Sequence, residues 1–274
     1  MENQLPAPEI KVSFENEHLK IHTFISPEYF LADATHIIET QSSLIIIDGQ
    51  FVVPYAMQFR AYADSLGKPI SRIYLSHDHP DHFFGLGAAF GDIPGYALPE
   101  TIEFLKNNGE AIRVDREAVF GDFVPKQLAI PQNVVETGEE IIDGIKFEFV
   151  KHLHTETEFH LSVKLPDAKV YILQDLIYSG SHIYLTSDFD NWINALKDIY
   201  NSDYELFLAG HGQPCGKDEI KENYEYLSYA KELFTGGSSK EELKNALLSK
   251  YPNRQGSAII DIYLPRLFGE TDSE

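Results

Sequence analysis

The sequence predicts an α+β fold, and three observations predict it. Short alternating apolar runs occur near the amino terminus and again through the middle of the chain; a strand–helix–strand unit ends in a loop crowded with histidine and aspartate; and amphipathic helices follow toward the carboxyl end. With 274 residues and 43% hydrophobic content the chain can bury a sizeable core. The pattern reads as one domain over 1–274, with a core at about 10–215 and a helical segment at about 216–274.

The formal charge of −21 argues against nucleic acid or an anionic membrane as a partner, because phosphate binding rests on clustered Lys and Arg. A lone cysteine, Cys215, excludes an intramolecular disulfide and a Cys-rich zinc motif. Residues Met1 to Pro6 lack a basic and then apolar leader, and no apolar run nears the roughly 18 residues that span a bilayer. The expectation is a cytoplasmic protein acting on a small-molecule substrate.

In order along the chain, Ile10–Phe14 and Leu19–Ile25 alternate as half-buried strands do. His18, His22 and His36, with no partner at ligand spacing, read as structural or solvent-facing. Ser43–Gly49 is an apolar strand buried on both faces and ending in Asp48-Gly49. Pro54 to Leu66 suggests a helix, with Pro54 in its first turn and Gly67 at its end, leading back to the β-type run Arg72–Leu75.

Residues 83–130 contain helix-like pieces such as Pro99 to Asn107, interrupted by glycines including Gly109, and shape a pocket if they act at all. Phe83, Phe84, Phe90, Phe120 and Phe123 read as core. Strands resume at Glu140–Ile142, Gly144–Val150, Leu161–Leu165 and Lys169–Leu173, with hairpin turns at Asp143-Gly144 and Pro166-Asp167. Two amphipathic helices follow. One carries Ile220, Tyr224, Leu227, Ala230 and Phe234; the other starts at Ser239 with Glu242 three residues on, the capping-box spacing.

The chemistry concentrates in Ser76-His77-Asp78-His79-Pro80-Asp81-His82. Three of the eleven histidines fall within six positions, which chance explains poorly. If the backbone is extended through His77 and His79 their side chains share a face, and Pro80 favours ending the strand there, freeing Asp81 and His82 for a second position. Imidazole suits zinc or iron, and a neighbouring carboxylate can ligate a second ion.

His77-x-His79-x-Asp81-His82 after a strand resembles the signature of the metallo-β-lactamase superfamily of metallohydrolases. The resemblance implies a four-layer αββα sandwich with two metals at one edge. It implies further ligands in order: a third histidine, for which His154 is preferred because Thr155 follows it, with Glu156 as the alternative used in sulfatase-like members; Asp175 as a bridging carboxylate, with Gln174 where the family has glycine; and His211 in Gly210-His211-Gly212. His152 and His160 then read as supporting or structural, and Asp48, which precedes His77 by 29 residues, as a carboxylate orienting the ligand loop or as a turn former.

The implied site places His77, His79 and His154 on one metal, Asp81, His82 and His211 on the other, and Asp175 between them. Two zinc ions are expected, with manganese or iron(II) as alternatives; zinc is preferred because the diiron branch replaces the second histidine, here His79, by glutamate. The implied reaction is hydrolysis of a small ester, thioester or lactone by a metal-activated hydroxide, with Asp81 guiding the proton to the leaving group. A phosphodiester or sulfate ester is the alternative substrate, and a non-catalytic metal- or ligand-binding sensory domain the alternative class. Tyr178 and His182 are candidate substrate-facing groups.

Overall fold

Why the chain folds as it does is clearest in Ser43 to Gly95. In the computed structural model, which describes residues 5–270, the fully buried run β4 (Leu44–Ile47) pairs in parallel with β5 (Ile70–Tyr74). The crossover is α1 (Val53–Ser65), with Pro54 in its first turn, as parallel pairing requires. Three antiparallel strands precede this unit, β1 (Glu9–Glu15), β2 (Lys20–Ile25) and β3 (Ala34–Glu39). Two short parallel ones, β6 (Gly95–Ala97) and β7 (Asn133–Val134), complete a sheet in sequence order.

The second sheet runs β8 (Gly138–Ile142), β9 (Ile145–Leu153), β10 (Phe159–Leu165), β11 (Val170–Ser179) and β12 (Leu206–Gly212). Asp143 and Gly144 both take positive φ, 52° and 80°, which gives the tight β8–β9 hairpin. Ile21, Ile38, Ile45, Phe147, Val163 and Ile172 pack between the sheets. The first sheet's outer face is covered by α1, α2 (Pro80–Ala89) and α3 (Pro99–Phe120) through Tyr55, Phe59, Phe84 and Leu105. The second is covered by α4 (Phe189–Asn201), α5 (Lys217–Thr235), α6 (Lys240–Lys250) and α7 (Ala258–Leu267) through Trp192, Leu196, Leu227 and Tyr263. The result is an αββα sandwich. No helix among the described residues is long and apolar enough to cross a membrane.

One glycine-dependent contact corrects the expectation that Gly109 interrupts the 83–130 region, where Gly121 does end α3, and a second fixes where α2 lies. Helix α3 continues through Gly109 to Phe120, because a Cβ at Gly109 would stand 2.9 Å from Leu128 Cδ1; the glycine admits the neighbouring segment instead of ending the helix. Within α2, a Cβ at Gly85 would stand 2.3 Å from Gln50 N, so the helix lies directly against the backbone leaving β4. That approach brings the helix carrying Asp81 and His82 beside Asp48. The capping box is formed, with Ser239 accepting from the Glu242 amide.

Candidate metal centre

All the elements meet at one sheet edge. Past the end of β4 stands Asp48; past β5 come Ser76 and His77; His79 caps α2, and Asp81 and His82 occupy its first turn. The loop between β9 and β10 supplies Glu156, β11 supplies Asp175, and β12 supplies His211. Two donor groups result, each with its candidate atoms within 4.8 Å of one another: His77, His79, Glu156 and Asp175 in one, and Asp81, His82, Asp175 and His211 in the other. Asp175 belongs to both.

Three of the imidazoles are oriented by partners on the side away from the cluster. His82 Nδ1 donates to Asp48 Oδ2 at 2.9 Å, and His211 Nδ1 donates to the Leu31 carbonyl at 2.9 Å. Ser76 Oγ donates to Asp48 Oδ2 at 2.6 Å and so accepts from His77 Nδ1 at 2.8 Å. Each therefore turns Nε2 inward, which is how ligating histidines are held. Asp48 also accepts from the Ser76 amide at 2.7 Å and from Gln174 Nε2 at 2.5 Å. Four donors thus converge on Asp48, three on Oδ2 and one on Oδ1, which makes it a support rather than a ligand, although it lies near His77 and His82.

The inward atoms fit a cation by a second test. His77 Nε2, His82 Nε2, Glu156 Oε2 and Asp175 Oδ1 are buried without a hydrogen-bond partner, a costly arrangement unless something else satisfies them. Around Asp175, His82 Nε2 lies 3.2 Å from Oδ1 and His211 Nε2 3.1 Å from Oδ2. Asp81 Oδ2 lies 3.4 Å from His211 Nε2, Glu156 Oε1 lies 3.1 Å from His79 Nδ1, and Glu156 Oε2 lies 3.6 Å from His77 Nε2. Imidazole and carboxylate donors at this density suit zinc and its borderline neighbours.

The electrostatics follow from burial and crowding. Burial alone would push His79 and His211 down, but Glu156 beside the first and Asp175 beside the second raise each to about 9. Burial raises Glu156 to about 7 against the pull of His79. Asp175 is driven the other way: burial opposes its ionisation, yet His211 and His82 together hold it well below the carboxylate range. His77, buried and beside His82, is pushed well below the imidazole range.

The preferred third histidine is not brought to the cluster. His154 adopts a left-handed φ of 51° at the turn after β9, its side chain is half exposed, and it lies 4.0 Å from Asp188. The turn His154–Glu158 closes with His154 N donating to the Glu158 carbonyl, and that swings Glu156 inward to full burial. Glu156, the alternative, occupies the position. His182 is also not brought in: it is buried beside Tyr226, whose hydroxyl lies 3.0 Å from its Nδ1. Tyr178 is at the site, donating to Asp175 Oδ2 at 2.8 Å and stacked on His211 at 4.8 Å. Its phenol is held protonated by burial and then by the charges of Asp175 and Glu156.

His160 stacks on His77 at 4.9 Å and donates to the Leu173 carbonyl, and His152 bonds Ser162, so both support the site from behind. His22 and His36 are buried and hydrogen-bonded, and His18 is exposed beside Glu17. Ser76 and Gln174 carry supporting roles that the sequence alone does not assign to them. Gln174 stands at φ 48°, a conformation glycine adopts without strain, and uses its amide on Asp48 in return. The signal was present as the departure from Gly-Asp immediately before Asp175.

The cluster opens into a cavity of about 820 Å³ bounded by His79, Asp81, Asp175, Tyr178 and His211 at its inner end. A second cavity of about 430 Å³, with Asp78, Glu156 and Glu158 in its wall, meets the first at His79, Tyr184 and Arg266.

Comparison with known proteins agrees with this architecture. The metallo-β-lactamase FIM-1 from Pseudomonas aeruginosa, solved in a mono-zinc form, superposes with a TM-score of 0.62 at 16% identity, over 83% of this chain and 97% of that one. A metallo-β-lactamase from Pontibacter korlensis gives 0.63 at 15% identity, over 80% and 99%. The metallo-β-lactamase DIM-1 gives 0.61 at 18% identity, over 83% and 100%. At such identities the likeness is one of fold. No curated protein sequence matches the chain. A family sequence model for the metallo-β-lactamase superfamily matches residues 33–211, the stretch that holds every residue of both donor groups, and the chain belongs to that superfamily.

Proposed function

We propose that the protein is a dinuclear metal-dependent hydrolase acting on an ester, thioester or lactone. The observation that carries the reading is the sharing of Asp175 by two donor groups in which His77 Nε2, His82 Nε2, Glu156 Oε2 and Asp175 Oδ1 are buried without a hydrogen-bond partner. His77, His79 and Glu156 would hold one ion, Asp81, His82 and His211 the other, and Asp175 both; zinc suits these donors best, with manganese or iron(II) as alternatives. Bound cations of this kind supply an acidified water and a polarised substrate oxygen.

The chain's own residues do the rest. Asp81 reaches the cavity from the first turn of α2 and is placed to pass a proton to the leaving group. The Tyr178 hydroxyl, protonated and in the cavity wall, offers a hydrogen bond to a carbonyl oxygen that gains charge during attack. A second reading, sulfate ester hydrolysis, is favoured by Glu156, because sulfatase-like members of the superfamily use a glutamate at that position.

Metal-loaded protein assayed on aryl esters, thioesters, lactones and aryl sulfates tests the reading. Asp81→Ala should lose second-metal binding and most turnover while its thermal unfolding stays close to wild type. Wild-type turnover in that variant would sink the assignment. Binding of two metals with no turnover on any class would favour a ligand-binding domain.

A further inference from the structure

The cavity outside the donor cluster is larger and more apolar than a small ester requires. Its volume of about 820 Å³ lies toward the upper end for small-molecule sites. Beyond the inner polar end its wall includes Phe51, Val119, Phe120, Phe123, Ile259 and Ile262. These come from the segment after β4, from the end of α3 and the turn that follows it, and from α7, so helices outside the sandwich build the wall. Val119 is 69% exposed, Ile262 45% and Phe120 38%. Single exposed apolar residues mean little, but here they line one channel that leads from solvent to the donors. The expectation that Phe120 is core is corrected accordingly, whereas Phe123 packs against the core and also lines the cavity. The Phe120 ring meets the edge of Phe51 at 5.3 Å, and Phe51 stacks on the buried Phe84 at 6.2 Å, which makes a firm apolar floor. The two lining cations are engaged, Arg116 with Asp115 and Arg266 with the Tyr184 hydroxyl.

We propose that the substrate is an ester of a medium or long acyl chain, whose hydrocarbon lies along this wall while its carbonyl meets the cluster. The inference rests on the hydrolase reading above. In the reaction the oxygen of water joins the acyl carbon, the bond from that carbon to the alcohol oxygen breaks, the alcohol leaves with one proton of the water, and the other proton is released to solvent as a fatty carboxylate forms. That product class is itself a probe of the cavity.

Two measurements on zinc-loaded protein test it. One is kcat/KM on 4-nitrophenyl esters from acetate to decanoate, and the other is calorimetric binding of butyrate and decanoate, all below micelle-forming concentrations. Since each methylene taken fully from water is worth up to about 4-fold, kcat/KM should rise by about 2- to 4-fold per methylene. Decanoate, six methylenes longer, should bind at least about 60-fold more tightly than butyrate. Ile262→Asp, and independently Val119→Asp, should flatten both series, lowering turnover of the decanoate ester far more than that of the acetate ester. Equal turnover and equal binding of short and long chains would overturn the proposal and leave the hydrolase reading standing. If no ester is cleaved, yet decanoate binds tightly in a way that Ile262→Asp abolishes, the cavity assignment holds and the hydrolase reading fails.

Discussion

Gly210→Ala should empty both metal positions with one methyl group. Gly210 precedes His211 in β12, and a Cβ there would stand 1.8 Å from Asp175 Oδ1, 3.0 Å from its Cγ and 3.1 Å from its amide nitrogen. A carbon and a carboxylate oxygen need at least about 3 Å between them, so the shared carboxylate must move by more than about 1 Å, several times the roughly 0.2 Å tolerance of a metal–ligand bond. Asp175 has nowhere to go: it is buried, with His82 3.2 Å from one oxygen and His211 3.1 Å from the other. Overpacking of this kind costs about 1–3 kcal/mol, and the entropy that alanine removes from the unfolded chain returns about 0.4–1 kcal/mol. A net loss of about 1–2 kcal/mol should lower Tm by roughly 2–8 °C in a chain of this size. The protein should therefore fold while metal affinity falls by at least about 10–100-fold. Metal content after gel filtration, with thermal unfolding of the metal-free protein as control, reads both. Two metals per chain and wild-type turnover in Gly210→Ala would refute the geometry of the shared carboxylate.

Other perturbations separate support from ligation. In Asp48→Asn one acceptor becomes a donor among four converging donors, so at least one pair faces donor to donor. Stability should fall by about 1–3 kcal/mol by chemical denaturation and metal affinity by about 10–100-fold by competition with a chelator, and a neutral outcome in both would contradict the role. Asn223 clamps Tyr178, accepting from its amide at 2.9 Å and donating to its carbonyl at 3.1 Å; Asn223→Ala should cost about 1–3 kcal/mol in a melt, and an unchanged Tm would count against the clamp. Burial pushes His36 down to about 4, so the unfolded chain takes up a proton near 6.5 that the folded one refuses. Its contribution is complete above pH 6.5 and is lost as pH falls toward 4, at about 1.4 kcal/mol per unit. Urea titrations of His36→Gln across that window should show a slope shallower by about one proton, and slopes equal to wild type would rule His36 out.

The parts of the molecule legible from sequence are those where local chemistry and tertiary demand agree. The His77–His82 motif, the Asp48-Gly49 strand end, the Ser239 cap and the β8–β9 hairpin are all set by their own few residues. The low helix propensity of Gly109 points to an end of α3 near Asn107, whereas the glycine's reason for being there is the approach of Leu128, a contact across nineteen residues that spacing does not reveal. Strand β3 carries no strand signal because Ala34–Glu39 is buried almost throughout and so shows no alternation. Helices α4 and α7 lie outside the expected elements, although α4 is strongly amphipathic, with Phe189, Trp192, Ile193, Leu196 and Ile199 buried along one side.

The third ligand shows the limit most directly. His154 and Glu156 differ by two residues, and in an extended strand both would point the same way. The left-handed turn at His154 breaks that equivalence, sending the histidine to solvent and the glutamate into the cluster, beside His79 and His77. Backbone conformation at one residue therefore decides which of the two side chains joins the donor cluster.

The central claim is that two metals sit on a set completed by Glu156. Elemental analysis of metal per chain in wild type, His154→Ala and Glu156→Gln tests it most directly. The account predicts about two ions in wild type and in His154→Ala, and loss of at least one in Glu156→Gln. Full occupancy in Glu156→Gln with loss in His154→Ala would contradict it.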